Sequence, residues 1–209
     1  DVAKSFVTGM KNSGYTNSWS KGSGKWTVNE LKGNGALINT VNLGLVIGHA
    51  SYGETAENGA DAIKHTYTWL TDGTYVHLND MRLGAGGTLR WMTMLTCNTL
   101  RDQNIQTYNS AGWLGTIIND NLHLLLSANT IMSGTENTTA FYAANLKKKM
   151  TFPSAWYKAL RDSIAQASTP PSGTRVAKVM GHQPCFNDQL MSWQDPDPGI
   201  YSQTNQVYP

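Results

Sequence analysis

Two short apolar stretches constrain the fold more than anything else in the chain, and each ends in a reactive side chain. One runs from Val41 to Gly48 and leads into His49; the other runs from Arg90 to Thr96 and leads into Cys97. Both are rich in β-branched and large apolar residues and are bounded by polar or glycine-containing segments, so each is predicted to be a buried strand. If the two strands lie parallel and adjacent, His49 and Cys97 emerge together at the carboxyl edge of a sheet. Open α/β sheets place their binding sites there. A thiol near neutral pH needs a neighbouring base or cation to become a thiolate, and imidazole is the usual choice. The predicted arrangement is a Cys/His dyad.

The rest of the chain supplies the other layers. Val2, Phe6 and Met10 recur at helical spacing, which predicts a helix over residues 2–12 that stops at Asn12-Ser13-Gly14. Residues 15–35 predict an ordered loop with one short strand near Lys25 to Val28. His65–Leu70 and Thr74–Leu78 alternate about Asp72-Gly73, a hairpin signal inside the crossover between the two main strands. Gly84 to Gly87 precede a strand and lack a following Lys-Ser/Thr, so they form a turn and not a phosphate loop. A helix is expected from Asn109 or Ser110 through Ile118, and a third core strand over Leu122–Ala128, with His123 as a packed, hydrogen-bonded core histidine. Helices are expected over 137–150 and from Pro153 to Ala167, then a fourth strand over Val176–Met180. The tail from Asp195 is extended and without periodicity. Strands alternating with helical stripes predict an α/β fold: one domain spanning 1–209, a three-layer sandwich with a mostly parallel central sheet.

These motifs resemble a known group. Leu45-Val46-Ile47-Gly48-His49, Leu89-Arg90-Trp91 leading to Cys97-Asn98-Thr99-Leu100, and Asn121 to Leu126 are similar to the caspase- and gingipain-like cysteine peptidases, and closer to uncharacterised prokaryotic caspase-like domains. The similarity covers about residues 40 to 195. It implies a caspase-like sheet, Cys97 as nucleophile and His49 as base or acid. Backbone N–H groups at Ala50 and Cys97 would form the oxyanion hole. The chain departs from the usual pattern at Ala50, where those peptidases have Gly, and at Thr96, where they have Ala.

Three other chemistries use the same residues. A Cys97–Cys185 disulfide would occupy both cysteines of the chain. A zinc site from His49, Cys97, His182 and Cys185 has suitable donors, yet only His182-x-x-Cys185 has paired spacing. Ser51 follows a strand as a nucleophile elbow must, but His49 stands where the signature needs Gly. Neither a metal nor another cofactor is expected.

Composition limits the partners. A net charge of +2, with no basic run beyond Lys147-Lys148-Lys149, gives no nucleic-acid footprint. No apolar run approaches the roughly 18 residues of a membrane span. Charged residues are only 14% of the chain, and Asp1 in place of Met is what signal-peptide removal leaves. Both features favour a secreted, extracellular or periplasmic protein. Two functional readings follow: a cysteine peptidase acting on polypeptides, or a non-catalytic extracellular adhesive or filament-forming module on the same fold. For the second, seven Trp and nine Tyr offer contact area toward a protein partner or a second copy of the chain. Among charged residues, Arg82, Arg90 and Arg101 suit acidic substrate side chains, and Asp80 or Asp102 basic ones.

Overall fold

The computed structural model describes residues 2–16, 20–21, 27–54, 64–69, 75–101, 121–130, 136–167, 173–193 and 201–208. Five strands form the main sheet: β1 (Leu43–Ile47), β5 (Trp91–Leu95), β6 (Leu124–Ala128), β7 (Arg175–His182) and β8 (Tyr201–Tyr208), in the spatial order β1-β5-β6-β7-β8. β1, β5 and β6 are parallel, whereas β7 runs antiparallel to β6 and β8 antiparallel to β7. The fold is α/β as expected. The sheet is mixed, not mostly parallel, because β7 enters from the carboxyl edge of β6 and β8 returns beside it. Of the extended tail, Tyr201–Tyr208 is thus a paired edge strand, and residues 195–200 lie outside the described residues.

The crossover from β1 to β5 holds a second sheet of β2 (Ala50–Glu54), β3 (Lys64–Trp69) and β4 (Tyr75–His77), paired antiparallel in that order. β3 and β4 pair antiparallel as the expected hairpin requires, and its Asp72-Gly73 turn lies outside the described residues. β2 escapes the alternation pattern, since Ala50-Ser51-Tyr52-Gly53 mixes small and polar residues. Near residue 28 the chain forms a short helix, α2 (Val28–Leu31), instead of a strand; Thr27 and Glu30 make a capping box there. The helix expected over 109–118 lies outside the described residues.

Each face of the main sheet has its own core. On one face, helix α1 (Val2–Lys11), helix α3 (Glu136–Lys147) and helix α4 (Phe152–Ala165) cover Trp91, Leu95, Leu124, Leu126, Ala177 and Val179. α1 lies so close to α3 that a Cβ on Gly9 would come within 2.7 Å of Ala143 Cβ, so glycine is required at the crossing. α4 starts at Thr151, which accepts a hydrogen bond from the Ser154 N–H, with Pro153 in the first turn. Its buried stripe includes Trp156 and Leu160. Fully burying side chains of this size contributes roughly 1.5–3 kcal/mol each. Their polar tips are satisfied: Trp156 Nε1 donates to Ser127 O at 3.2 Å, and Tyr142 Oη pairs with Thr93 Oγ1 at 3.0 Å. The opposite face packs Met92, Met94, Leu125 and Met180 against Leu31, Ile38, Leu78, Met81 and Leu83. Among the described residues, short turns and loop, not long helices, form that layer. No helix among them is long and apolar enough to cross a membrane.

Candidate functional site at the carboxyl edge of the parallel strands

β1 and β5 pair in register from Leu43↔Trp91 to Ile47↔Leu95, and the Gly48 N–H continues the ladder to Leu95 O at 3.4 Å. His49 and Cys97 each follow the last paired residue by two positions. Strand side chains alternate between faces. Leu43, Leu45 and Ile47 contact the helix-covered core, as do Trp91 and Leu95. Carried on two residues, the alternation assigns His49 and Cys97 to that same face. His49 is exposed and Cys97 is partly buried. No hydrogen bond joins the two side chains among the described residues.

A tight turn fixes the backbone around Cys97. Thr96 Oγ1 and Thr99 Oγ1 are hydrogen-bonded at 2.5 Å, the Asn98 N–H donates to Thr130 O at 3.0 Å, and the Leu100 N–H donates to Ala128 O at 2.8 Å. Asn98 has φ of 55°, in the left-handed region, where Asn is one of the few non-glycine residues found routinely. Neither Cys97 nor Cys185 is in a disulfide. They stand at opposite ends of the sheet, because antiparallel β7 carries the chain back to the amino edge before Cys185 is reached. Ala50 is buried and opens β2 opposite Thr68.

Arg175, which the sequence did not single out, stands at the same edge. It begins β7, directly before Val176, whose N–H donates to Thr130 Oγ1 at 2.9 Å. Its side chain is buried, and among the described residues neither Nε nor Nη1 has a hydrogen-bond acceptor. Burial pushes the guanidinium below its ordinary pKa, while negative charge on Cys97 pushes it back up. No local pattern signals this placement. It depends on β7 being antiparallel, which brings the start of the strand to the edge where β5 ends.

A family model described as a domain of unknown function, DUF6345, matches residues 1–204. The chain belongs to this family. The DUF6345 match takes in His49, Cys97 and Arg175 together with all five strands of the main sheet, apart from the last residues of β8. No curated protein and no solved structure matches the chain.

The other candidates of the DUF6345 chain are dispersed. His182 and Cys185 lie at the amino edge and His49 and Cys97 at the carboxyl edge, so the four-residue zinc set does not form. Ser51 lies inside β2, a strand, and not in the strand-to-helix turn an elbow requires. Arg90 precedes β5 at the amino edge, with its guanidinium 5.1 Å from the Trp193 ring, and Asp80 pairs with Lys32 at 3.2 Å. Arg82 also lies before β5, Arg101 directly follows the Cys97 turn, and Asp102 is outside the described residues. What converges at the amino edge is His123, Cys185 and Asp188, all buried, with donor atoms within 4.8 Å of one another. His123 is the hydrogen-bonded core histidine expected: its Nδ1 lies 2.6 Å from Asp188 Oδ2. Two ligands on one tetrahedral zinc, at ~2.0 Å each, would stand about 3.3 Å apart. That pair is a hydrogen bond, not a joint ligand set.

Proposed function

We propose that the protein is an extracellular cysteine peptidase on a caspase-like sheet, using Cys97 and His49 on polypeptide substrates. The observation that carries this reading is the in-register parallel pairing of β1 with β5, which sends both residues from one sheet edge at equal depth. In the reaction, the Cys97 thiol proton passes to His49 and Cys97 Sγ attacks the scissile carbonyl carbon. The oxyanion forms against backbone N–H groups at Cys97 and Ala50. As the C–N bond breaks, His49 gives its proton to the leaving amine. Water, deprotonated by His49, then attacks the thioester, the C–S bond breaks, and the acid and the thiol are released. The absence of a hydrogen bond between the pair is compatible with this, since such contacts often tighten only on substrate binding. The scarcity of charged residues supports secretion.

The test is cleavage of a mixed peptide library by the purified protein, with Cys97→Ser and His49→Ala alongside. Cleavage by the wild type that either change abolishes is expected, because members of a catalytic unit each remove nearly all turnover. Cleavage that survives Cys97→Ser would eliminate the mechanism.

One observation favours a non-catalytic adhesive or filament-forming module instead. β8 is an edge strand without charge or proline, and residues 203–207 are exposed. On that reading the library stays uncut and Cys97 reacts no faster than an ordinary thiol.

A further inference from the structure

Arg175 is only 5% exposed, and two of its three guanidinium nitrogens, Nε and Nη1, find no acceptor among the described residues. A guanidinium does not deprotonate in a protein. Its buried charge therefore calls for a compensating anion, and an uncompensated one is strongly destabilising. Thr130 ties this residue to the cysteine turn. Its carbonyl oxygen accepts from the Asn98 N–H at 3.0 Å and its Oγ1 accepts from the Val176 N–H at 2.9 Å. Cys97 and Arg175 thus each adjoin a residue anchored on Thr130. Alternation along β7 places Arg175 with Ala177 and Val179, on the helix-covered face assigned to Cys97.

We propose that Arg175 is the positioning residue that keeps Cys97 in its thiolate form, the thiolate being the anion its guanidinium is built to meet. This rests on reading Cys97 as the nucleophile. The other titratable or charged groups at this edge, among the described residues, are His49 from the end of β1, Arg101 beyond the turn, Tyr208 paired with Arg175 across β7 and β8, and Arg161 and Asp162 on α4 beside Tyr208. The Tyr208 hydroxyl donates to Tyr157 O at 2.6 Å and the Asp162 carboxylate is paired with Lys158 at 2.6 Å, which leaves Cys97 to supply the charge. The division of labour is then specific: the buried guanidinium holds the thiolate, and exposed His49 is left to move the proton to the leaving group.

The experiment is alkylation of the folded chain by iodoacetamide across pH, with Cys97 and Cys185 resolved by peptide mass spectrometry. The Cys97 thiolate attacks the reagent's methylene carbon, a C–S bond forms as the C–I bond breaks, and iodide leaves. In Arg175→Met, the pH of half-maximal Cys97 labelling is expected to rise by about one unit, with a rate at pH 7 roughly tenfold lower. Arg175→Lys is expected to restore most of that loss. Selective wild-type labelling with an unchanged profile in Arg175→Met overturns the role of Arg175 and leaves the nucleophile intact. So does an unchanged profile accompanied by weaker KM for acidic peptides, which would make Arg175 a substrate contact. Wild-type Cys97 that labels no faster than a small free thiol removes the nucleophile and this inference together. Should Arg175→Met not fold, the wild type still decides. The iodoacetate to iodoacetamide rate ratio at Cys97 should exceed that of the free thiol several-fold, and an equal ratio overturns the proposal.

Discussion

His123 Nδ1 and Asp188 Oδ2 lie 2.6 Å apart, both fully enclosed at the amino edge of the sheet, and the same carboxylate oxygen accepts a hydrogen bond from the Trp91 Nε1–H at 3.0 Å. Asp188 thereby joins the start of β5, the start of β6 and the turn after β7, and its carbonyl oxygen accepts from the Phe152 N–H at 3.0 Å where α4 begins. Asp188→Ala leaves two buried donors unsatisfied. At roughly 1–3 kcal/mol each, a destabilisation of about 2–6 kcal/mol is expected in urea unfolding. The cluster is a sheet's length from Cys97, so the Cys97 alkylation profile of folded Asp188→Ala should match the wild type. A changed profile would show that the two edges are coupled.

Gly181 permits the β6–β7 approach beside this cluster. A Cβ built there would lie 2.0 Å from the His123 carbonyl oxygen, which also accepts the His182 N–H at 3.1 Å. That oxygen belongs to the backbone leading into β6, held by the His182 N–H, and has no room to retreat. Gly181→Ala is expected to cost at least the 1–3 kcal/mol typical of overpacking. Gly48→Ala, with nothing within 4 Å of the added carbon, serves as the control. Similar unfolding midpoints for the two variants would contradict the packing described.

Glu30 makes stability depend on acid. Burial raises its carboxyl, but hydrogen bonds from Lys21 and from the Thr27 side chain and N–H outweigh burial and bring it down to about 2. A carboxylate lowered on folding contributes stability that is complete above its ordinary value of 4.5 and is lost as pH falls toward 2. Thermal unfolding of the wild type should therefore weaken across that window. Glu30→Gln should lose roughly 1.5–3 kcal/mol at pH 7, the worth of hydrogen bonds to a charged group, and show a flatter acid limb. Parallel acid limbs in the two proteins would assign the window to other carboxylates.

The strands that build the candidate site were legible because β5 and β6 are fully buried and β1 is buried or half-buried along its length. Leu43–Ile47, Trp91–Leu95 and Leu124–Ala128 each form a short apolar run, and two of them end in a histidine and a cysteine. Strand direction was not legible. Val176–Met180 reads the same whichever way it pairs, so the mixed sheet, and with it the arrival of Arg175 at the Cys97 edge, depended on tertiary pairing. β8 was hidden for a related reason: Gln203-Thr204-Asn205-Gln206 is an edge strand open to solvent, and hydrophobic alternation reports only strands with a buried face. Val28 was misread because capping by Thr27 and Glu30 outweighs the weak helix propensity of a β-branched residue.

Asn98 offers the sharpest link between backbone geometry and the candidate chemistry. It follows Cys97 with φ of 55°, and its N–H is anchored on Thr130 O at 3.0 Å. That conformation belongs to the turn in which Thr96 and Thr99 meet, directly after the end of β5. Glycine adopts it freely, Asn tolerates it, and a β-branched residue pays roughly 1–2 kcal/mol of steric strain or leaves it. Asn98→Gly should thus keep both fold and Cys97 reactivity, whereas Asn98→Val should unfold at a temperature several degrees lower and label at Cys97 more slowly. The decisive quantity is the labelling rate at a temperature where both variants are fully folded. A slower rate in Asn98→Val alone ties Cys97 reactivity to the left-handed turn. Equal rates in the two variants would mean that the turn matters for stability and not for the thiol.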